Sequence, residues 1–322
     1  MKEIFDLVRH DLLRVEREIA AQTGMAIQPV AEIGAYLQEG GGKRLRPALL
    51  MLAARSSGQM GDAAIRLGAV VELIHSATLI HDDVIDSAQT RRGRSSANAR
   101  WGNQMSVLAG DWLYMQAFEM AMRERNFAIL DVLIGLTQKM VEGELLELER
   151  VGRIGVTEEE ATDLSCRKTA GLFSGCARLG GILGRVSPTE EEALADYGLY
   201  AGLAFQLVDD LLDFTASPEK LGKPVLSDLK EGRVTLPLIY AMENGNVEGR
   251  RLVAAVLEEK GFFSVRPEQI TSLVRDTGSL DRAQKLARIY AEKSKGYLEG
   301  WPPSKYTRAL LTLPDFILER DS

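Results

Sequence analysis

The stretch LIHDDVIDSAQTRRG, residues 79–93, sets three aspartates (Asp82, Asp83 and Asp86) directly after an apolar run and follows them with Arg91 and Arg92. In a helix, Asp82 and Asp86 project from one face, a turn apart. His75, two turns earlier, falls within about 40° of both around the axis. Burying that face is costly unless cations match the carboxylates. The pattern occurs again in QLVDDLLD, residues 206–213, where Gln206, Asp209 and Asp213 form a similar stripe with Asp210 beside them.

Rows of oxygen ligands favour a hard cation, and Mg²⁺ typically binds through one or two carboxylates plus substrate phosphates. The chain has three histidines and two cysteines, with no cluster of them to favour a softer metal. Two facing aspartate rows with Mg²⁺ between them would clamp a phosphorylated ligand, and nearby arginines and lysines would complete the phosphate shell. A single DDxxD is more often a solvated acidic face. Two copies in matching apolar contexts, each joined to basic residues, weigh against that. The EF-hand loop pattern is missing. GGGKRLRP, residues 40–47, lacks the GxxxxGK[ST] spacing of a phosphate loop and reads as a glycine turn leading into a helix. His75 taken alone would be a core histidine; its alignment with Asp82 and Asp86 argues for a ligand role. His10, Cys166 and Cys176 are read as structural, and the two cysteines make neither a disulfide framework nor a zinc site.

Outward from the two motifs, the helical period dominates. Ile4, Val8, Leu12, Val15 and Ile19 recur at three- and four-residue steps. The same period predicts helices over 62–87, 105–125, 128–149, 158–184, 188–214, 235–244, 249–259 and 279–298, while strand-length alternation is hard to find. The expected fold is all-α, one large helical domain spanning 1–322, since no linker or composition shift divides it. With 322 residues, 45% of them hydrophobic, the chain can bury a substantial core. Its net charge of −7 argues against general nucleic-acid binding. The N-terminus has no secretory apolar core, and no apolar run approaches the roughly 20 residues of a membrane span. A cytoplasmic protein without a transmembrane segment is the expectation.

With these residues in view, the sequence resembles the trans-type polyprenyl diphosphate synthases, all-helical head-to-tail prenyltransferases. GGGKRLRP, ELIHSATLIHDDVID with RRG after it, GNQMSVLAGDWL, EGELLEL, KTAGLF, FQLVDDLLD, GKPVLSDLKEGRVTLPL and TGSLDRAQKLARIYAEK follow the family's order over nearly the whole chain. The resemblance implies a helical bundle around a central cavity, the isoprenoid synthase fold, and a homodimer. It implies that an allylic diphosphate, held by Mg²⁺, ionises and is attacked by the double bond of isopentenyl diphosphate, the departing diphosphate accepting the proton.

Residue by residue, it implies that Asp82 and Asp86 bind metal with Asp83 supporting, and that Asp209 does so with Asp210 and Asp213 direct or water-mediated. Arg91, Lys168 and Lys223 would hold the allylic diphosphate. Thr169 and Gln206 would face the reacting carbon. Lys43, Arg46, His75 and Arg92 would hold isopentenyl diphosphate.

Product length is expected to depend on Thr78 and Ala77, four and five residues before Asp82, where short-chain members often carry aromatic rings. Thr78 lies one turn before Asp82 on nearly the same face, whereas the role of Ala77 rests on the resemblance. Both being small, growth should reach a deeper floor, placed among Tyr114, Met115 and Phe118. The expected product is a long-chain polyprenyl diphosphate of the kind used for quinone side chains, the alternative being farnesyl or geranylgeranyl diphosphate.

The sequence departs from the family pattern at Leu226 and Ser227, commonly glycine, at Arg233, commonly lysine, and at Glu147, frequently glutamine. A terpene cyclase or head-to-head synthase would leave GGGKRLRP and His75 unexplained. A non-catalytic subunit of a heteromeric synthase would be expected to have lost aspartates or the KTA lysine. A simple Mg²⁺ or polyphosphate binder would not need the long apolar helical interior.

Overall fold

The computed structural model describes residues 2–58, 61–91, 93–216, 225–243 and 246–321. They form two compact units: Met1–Thr137, Leu172–Gly198 and Tyr297–Leu313 make the first, and Gln138–Gly171, Leu199–Gly296 and Pro314–Ser322 the second.

In the first unit, helix Asp62–Ile85 packs along Asn103–Met122 and also against Leu45–Ser56 and Arg9–Gly24. It takes the central place because it is apolar nearly all round, with Ala64, Ile65 and every residue from Leu67 to Ile74 buried. The same composition makes it long and apolar enough to cross a membrane, which corrects the expectation that no such run exists. Yet 67% of its apolar window is buried inside the fold, the mark of a core helix. Gly110 lets Asn103–Met122 approach closely, since a Cβ there would lie 2.3 Å from His81 Nε2.

Helix Leu45–Ser56 was not among the segments read from periodicity. Every residue from Pro47 to Ala54 is buried, so no polar face exists to produce an amphipathic pattern. Its entry is set by Arg44, which takes a left-handed φ of 48° and bonds Glu16 and, at 2.5 Å, Glu72. The buried Tyr197 hydroxyl donates to Leu310 O at 2.6 Å, satisfying the one polar atom of that ring. A two-residue antiparallel ladder, Thr90–Arg91 with Arg94–Ser95, is the only sheet among the described residues.

In the second unit, the stretch beginning at Glu158 does not run as one uniform helix. Glu158–Ser165 opens on a capping box between Thr157 and Glu160 and passes into a wider π-type turn, Cys166–Ala170, closed by Gly171 N–H on Cys166 O. Helix Leu236–Ala241, buried throughout, packs against Pro267–Asp276 and Ser279–Gly296. The remaining expected helices agree to within a few residues, for example Pro188–Thr215 for 188–214.

Candidate functional site

In the first unit, the acidic motif closes its helix. Asp86 is the C-terminal cap, its N–H donating to Asp82 O at 2.8 Å. Asp82 is half-buried, Asp83 buried and Asp86 exposed. Asp83 accepts from Arg91 Nε at 2.6 Å. Burial pushes the Asp83 carboxyl above its ordinary range, with Arg91 opposing that rise. The ladder carrying Arg91 is pinned by the Tyr36 hydroxyl, which donates to Ser95 O at 2.7 Å, and by the Arg94 guanidinium lying 4.1 Å from the Tyr36 ring centre.

A solvent-open cleft brings together His75, Asp83 and Arg91 with Gly41, Glu72 and Arg94. Lys43 stands exposed on the glycine turn, and the Arg46 guanidinium lies 5.4 Å from the Phe173 ring centre. Thr78 Oγ1 donates back to His75 O at 2.7 Å, and Ala77 is fully buried. Tyr114 and Phe118 are half-buried, but Met115 is 64% exposed and so does not line an interior floor of this unit. His81 and Arg44 were given no role from sequence. His81 Nε2 lies 3.4 Å from Asp111 and 3.1 Å from Val107 O.

In the second unit, the π-type turn places Lys168 and Thr169 beside the second acidic motif's helix. Thr169 Oγ1 donates to Gln206 Oε1 at 2.7 Å, and Gln206 Nε2 donates to Asp210 Oδ1 at 2.8 Å. Thr169, Gln206 and Asp210 thus form one hydrogen-bonded chain. Burial, then the neighbouring Asp228, pushes Asp210 up to about 8 against the Gln206 bond, with Asp209 and Asp213 adding to the rise. Asp209 faces Arg320 at 3.0 Å. Asp213 turns both oxygens to the backbone ahead, accepting from Ser227 N, Ser227 Oγ and Asp228 N at 3.2, 2.9 and 3.2 Å. Lys168 is held by Glu144 and Glu147.

Sequence reading missed Arg320 because nothing near the C-terminus signals a partner more than a hundred residues away. Glu147 was visible as a departure from the family pattern, though not as a lysine partner. The expected sites Arg92 and Lys223 lie outside the described residues.

The donor set fits a hard divalent cation in its chemistry. Every candidate ligand atom is a carboxylate oxygen, and a buried Asp210 raised by neighbouring carboxylates belongs to a cluster that added positive charge would relieve. Among the described residues, no three His, Cys, Asp or Glu side chains form a ready-made metal cage. Mg²⁺ does not require one, because waters and phosphate oxygens complete its shell.

Residues 27–273 match the polyprenyl synthetase family. The chain is 38% identical over 322 residues to the octaprenyl diphosphate synthase of Escherichia coli, covering 100% of this chain and 99% of that one. It is 37% identical over 294 residues to the geranylgeranyl diphosphate synthase of Methanosarcina mazei, covering 89% and 88%. Its fold is similar to a polyprenyl synthase from Caulobacter crescentus complexed with calcium and isoprenyl diphosphate, with a TM-score of 0.93 at 34% identity, covering 100% of this chain and 98% of that one. Motifs, fold and full-length similarity agree: the chain belongs to the polyprenyl synthetase family.

Proposed function

We propose that this chain is a trans-prenyltransferase that condenses isopentenyl diphosphate onto an allylic diphosphate and carries growth to a long-chain all-trans polyprenyl diphosphate. The observation that carries the reading is the array in which Lys168 stands beside Thr169, and Thr169 is tied through Gln206 to Asp210. It sets a cation for a diphosphate next to oxygen atoms suited to a developing carbocation. In the reaction, the allylic C–O bond breaks and its electron pair leaves with the diphosphate. The double bond of isopentenyl diphosphate forms the new C–C bond, and the proton then lost goes to the departing diphosphate.

Arg91, Lys168 and Lys223 hold the leaving diphosphate, while Lys43, Arg46, His75 and Arg92 hold that of isopentenyl diphosphate. Arginine's planar fork suits bidentate phosphate contact. The Thr169–Gln206 bond keeps both side chains from rotating as charge develops. Asp82 and Asp86, supported by Asp83, and Asp209 with Asp210 are the acids that would hold Mg²⁺. Bound Mg²⁺ supplies the charge neutralisation that makes diphosphate a better leaving group. The calcium in the Caulobacter crescentus neighbour supports a divalent hard cation here.

Long-chain growth is supported by the octaprenyl-forming relative and by the absence of a ring at Ala77 or Thr78. The geranylgeranyl-forming relative, almost equally similar, favours the short-chain reading as the alternative. Incubating the purified chain with isopentenyl diphosphate, farnesyl diphosphate and Mg²⁺, then separating products by reversed-phase chromatography, decides. Products beyond geranylgeranyl diphosphate, lost on adding EDTA, are expected. A ladder that stops at geranylgeranyl overturns the long-chain assignment, and an inert chain that gains activity only with a second polypeptide overturns the self-sufficient enzyme.

The proposal extends to a cytoplasmic homodimer in which residues 1–322 act as one synthase domain. Leu108, Met115 and Met122 stand seven residues apart on helix Asn103–Met122 and are all exposed. Residues at that spacing drift by only about 20° per step, so they form one apolar stripe suited to a second copy.

A further inference from the structure

Lys168 is gripped by two carboxylates of helix Phe127–Arg150. Its Nζ donates to Glu144 Oε2 at 3.0 Å and to Glu147 Oε2. Glu147 turns its other oxygen, Oε1, toward Arg233 Nε at 3.7 Å. Arg233 in turn pairs with Asp228 at 2.9 Å and with Glu231. The Asp228 N–H donates to Asp213 Oδ2 at 3.2 Å. A polar chain therefore runs from Lys168 through Glu147, Arg233 and Asp228 to the second acidic motif.

Stereochemistry gives the chain a consequence. An ammonium group carries three N–H donors. Two carboxylates on one helix occupy two directions and fix the third. The stem is fixed as well, because Gly143 packs directly against it: a Cβ there would lie 2.9 Å from Lys168 Cγ and 3.0 Å from Arg167 Cβ. Arg233, as an ion pair 3.7 Å from its other oxygen, restrains Glu147 from following the lysine. Arg233 is itself anchored by two further carboxylates, a geometry that the guanidinium fork supports and a compact ammonium supports less well. Glu147 and Arg233 are also two of the positions where the resemblance to the family pattern fails, and here they face each other.

We infer that Glu147 is a positioning residue for the allylic diphosphate: anchored by Arg233 through one oxygen, it aims Lys168 through the other. The inference rests on the reading of Lys168 as a ligand of that diphosphate. It is tested with Glu147→Gln, Arg233→Met, their double variant and Arg233→Lys, taking Lys168→Ala as the reference. Steady-state kinetics with farnesyl and isopentenyl diphosphates is accompanied by thermal melts and by calorimetry of Mg²⁺-pyrophosphate binding.

Glu147→Gln should raise KM for farnesyl diphosphate about tenfold while KM for isopentenyl diphosphate stays within about twofold, since misplacing one phosphate donor weakens only its own site. Pyrophosphate binding should weaken in parallel, with the melting temperature little changed. Arg233→Met should act in the same direction, Arg233→Lys should keep a smaller rise confined to farnesyl diphosphate because it loses the fork, and the double variant should be little worse than Glu147→Gln alone. If Glu147→Gln or Arg233→Met loses its fold, Arg233→Lys, which keeps the charge and loses the fork, supplies the comparison: a selective rise in farnesyl diphosphate KM supports the inference, and an unchanged value overturns it. The inference fails by itself if Lys168→Ala raises KM for farnesyl diphosphate but neither Glu147→Gln nor Arg233→Met does, or if their effects simply multiply. An unchanged value in Lys168→Ala overturns the parent assignment as well.

Discussion

At Asp213 both carboxylate oxygens accept from the Ser227 and Asp228 backbone and the Ser227 hydroxyl, whereas Asp209, four residues earlier, faces Arg320. A motif that looks uniform in sequence therefore divides its work. Asp82→Ala and Asp209→Ala should each lower pyrophosphate release by orders of magnitude with melting curves close to wild type. Near-normal turnover in either counts against the metal-binding role proposed for that residue. Asp213→Ala should instead cost about 1–3 kcal/mol of stability, because buried donors lose their acceptor; an unchanged denaturation midpoint would count against that role. Cys176 illustrates a different residue-scale effect. Burial pushes its thiol from the ordinary 9.0 up to about 12. A group whose folded pKa is raised contributes stability that is complete below the unfolded value and is lost as pH rises through the folded one. Stability should therefore decline between pH 9 and about 12, and Cys176→Ser should flatten that limb of the curve in urea melts at stepped pH.

Among the elements, the contact between helices Asp62–Ile85 and Asn103–Met122 turns on Gly110, which leaves space for the His81 ring. Gly110→Ala should destabilise by about 1–3 kcal/mol through overpacking. In Gly110→Ala with His81→Ala, most of that loss should vanish, because the ring that clashed is gone. Additive losses in a double-mutant cycle would show that the glycine serves some other purpose. The turn before Ser227–Lys230 shows how a departure from the family pattern is accommodated. Leu226 takes a φ of 57°, a left-handed conformation that glycine adopts freely, yet its side chain is fully buried. Ser227 adds a hydroxyl that donates to Asp213. Burial and a hydrogen bond thus offset backbone strain where glycine would have none.

For the molecule as a whole, product length is the property that no single contact explains. Ala77 is completely buried on the core helix, one position before Thr78. Ala77→Tyr should shorten the product to farnesyl or geranylgeranyl diphosphate while primer consumption continues, read by chromatography of the dephosphorylated alcohols. An unchanged long product would place the length-limiting residue elsewhere. Assembly belongs to the same scale. Light scattering should give a dimer mass for the wild type and a monomer mass for Leu108→Glu with Met115→Glu, and a monomeric wild type would remove the apolar stripe as an interface.

Local periodicity and local chemistry made part of the architecture legible. The helical class was legible because most helices have one polar face, and the paired DDxxD motifs were legible because carboxylates beside apolar runs need cations. Helix Leu45–Ser56 was legible only at its start, from the glycine turn before it, since a helix buried all round has no period to read. Tertiary structure alone decided that Asp213 caps a later turn, that Asp209 meets Arg320, that Met115 faces outward, and that Glu147 and Arg233 meet beside Lys168. These pairings join residues far apart in the chain, where spacing carries no information about contact. Charges find partners through the packing of helices, and only the folded chain specifies which carboxylate meets a side-chain cation and which meets backbone donors.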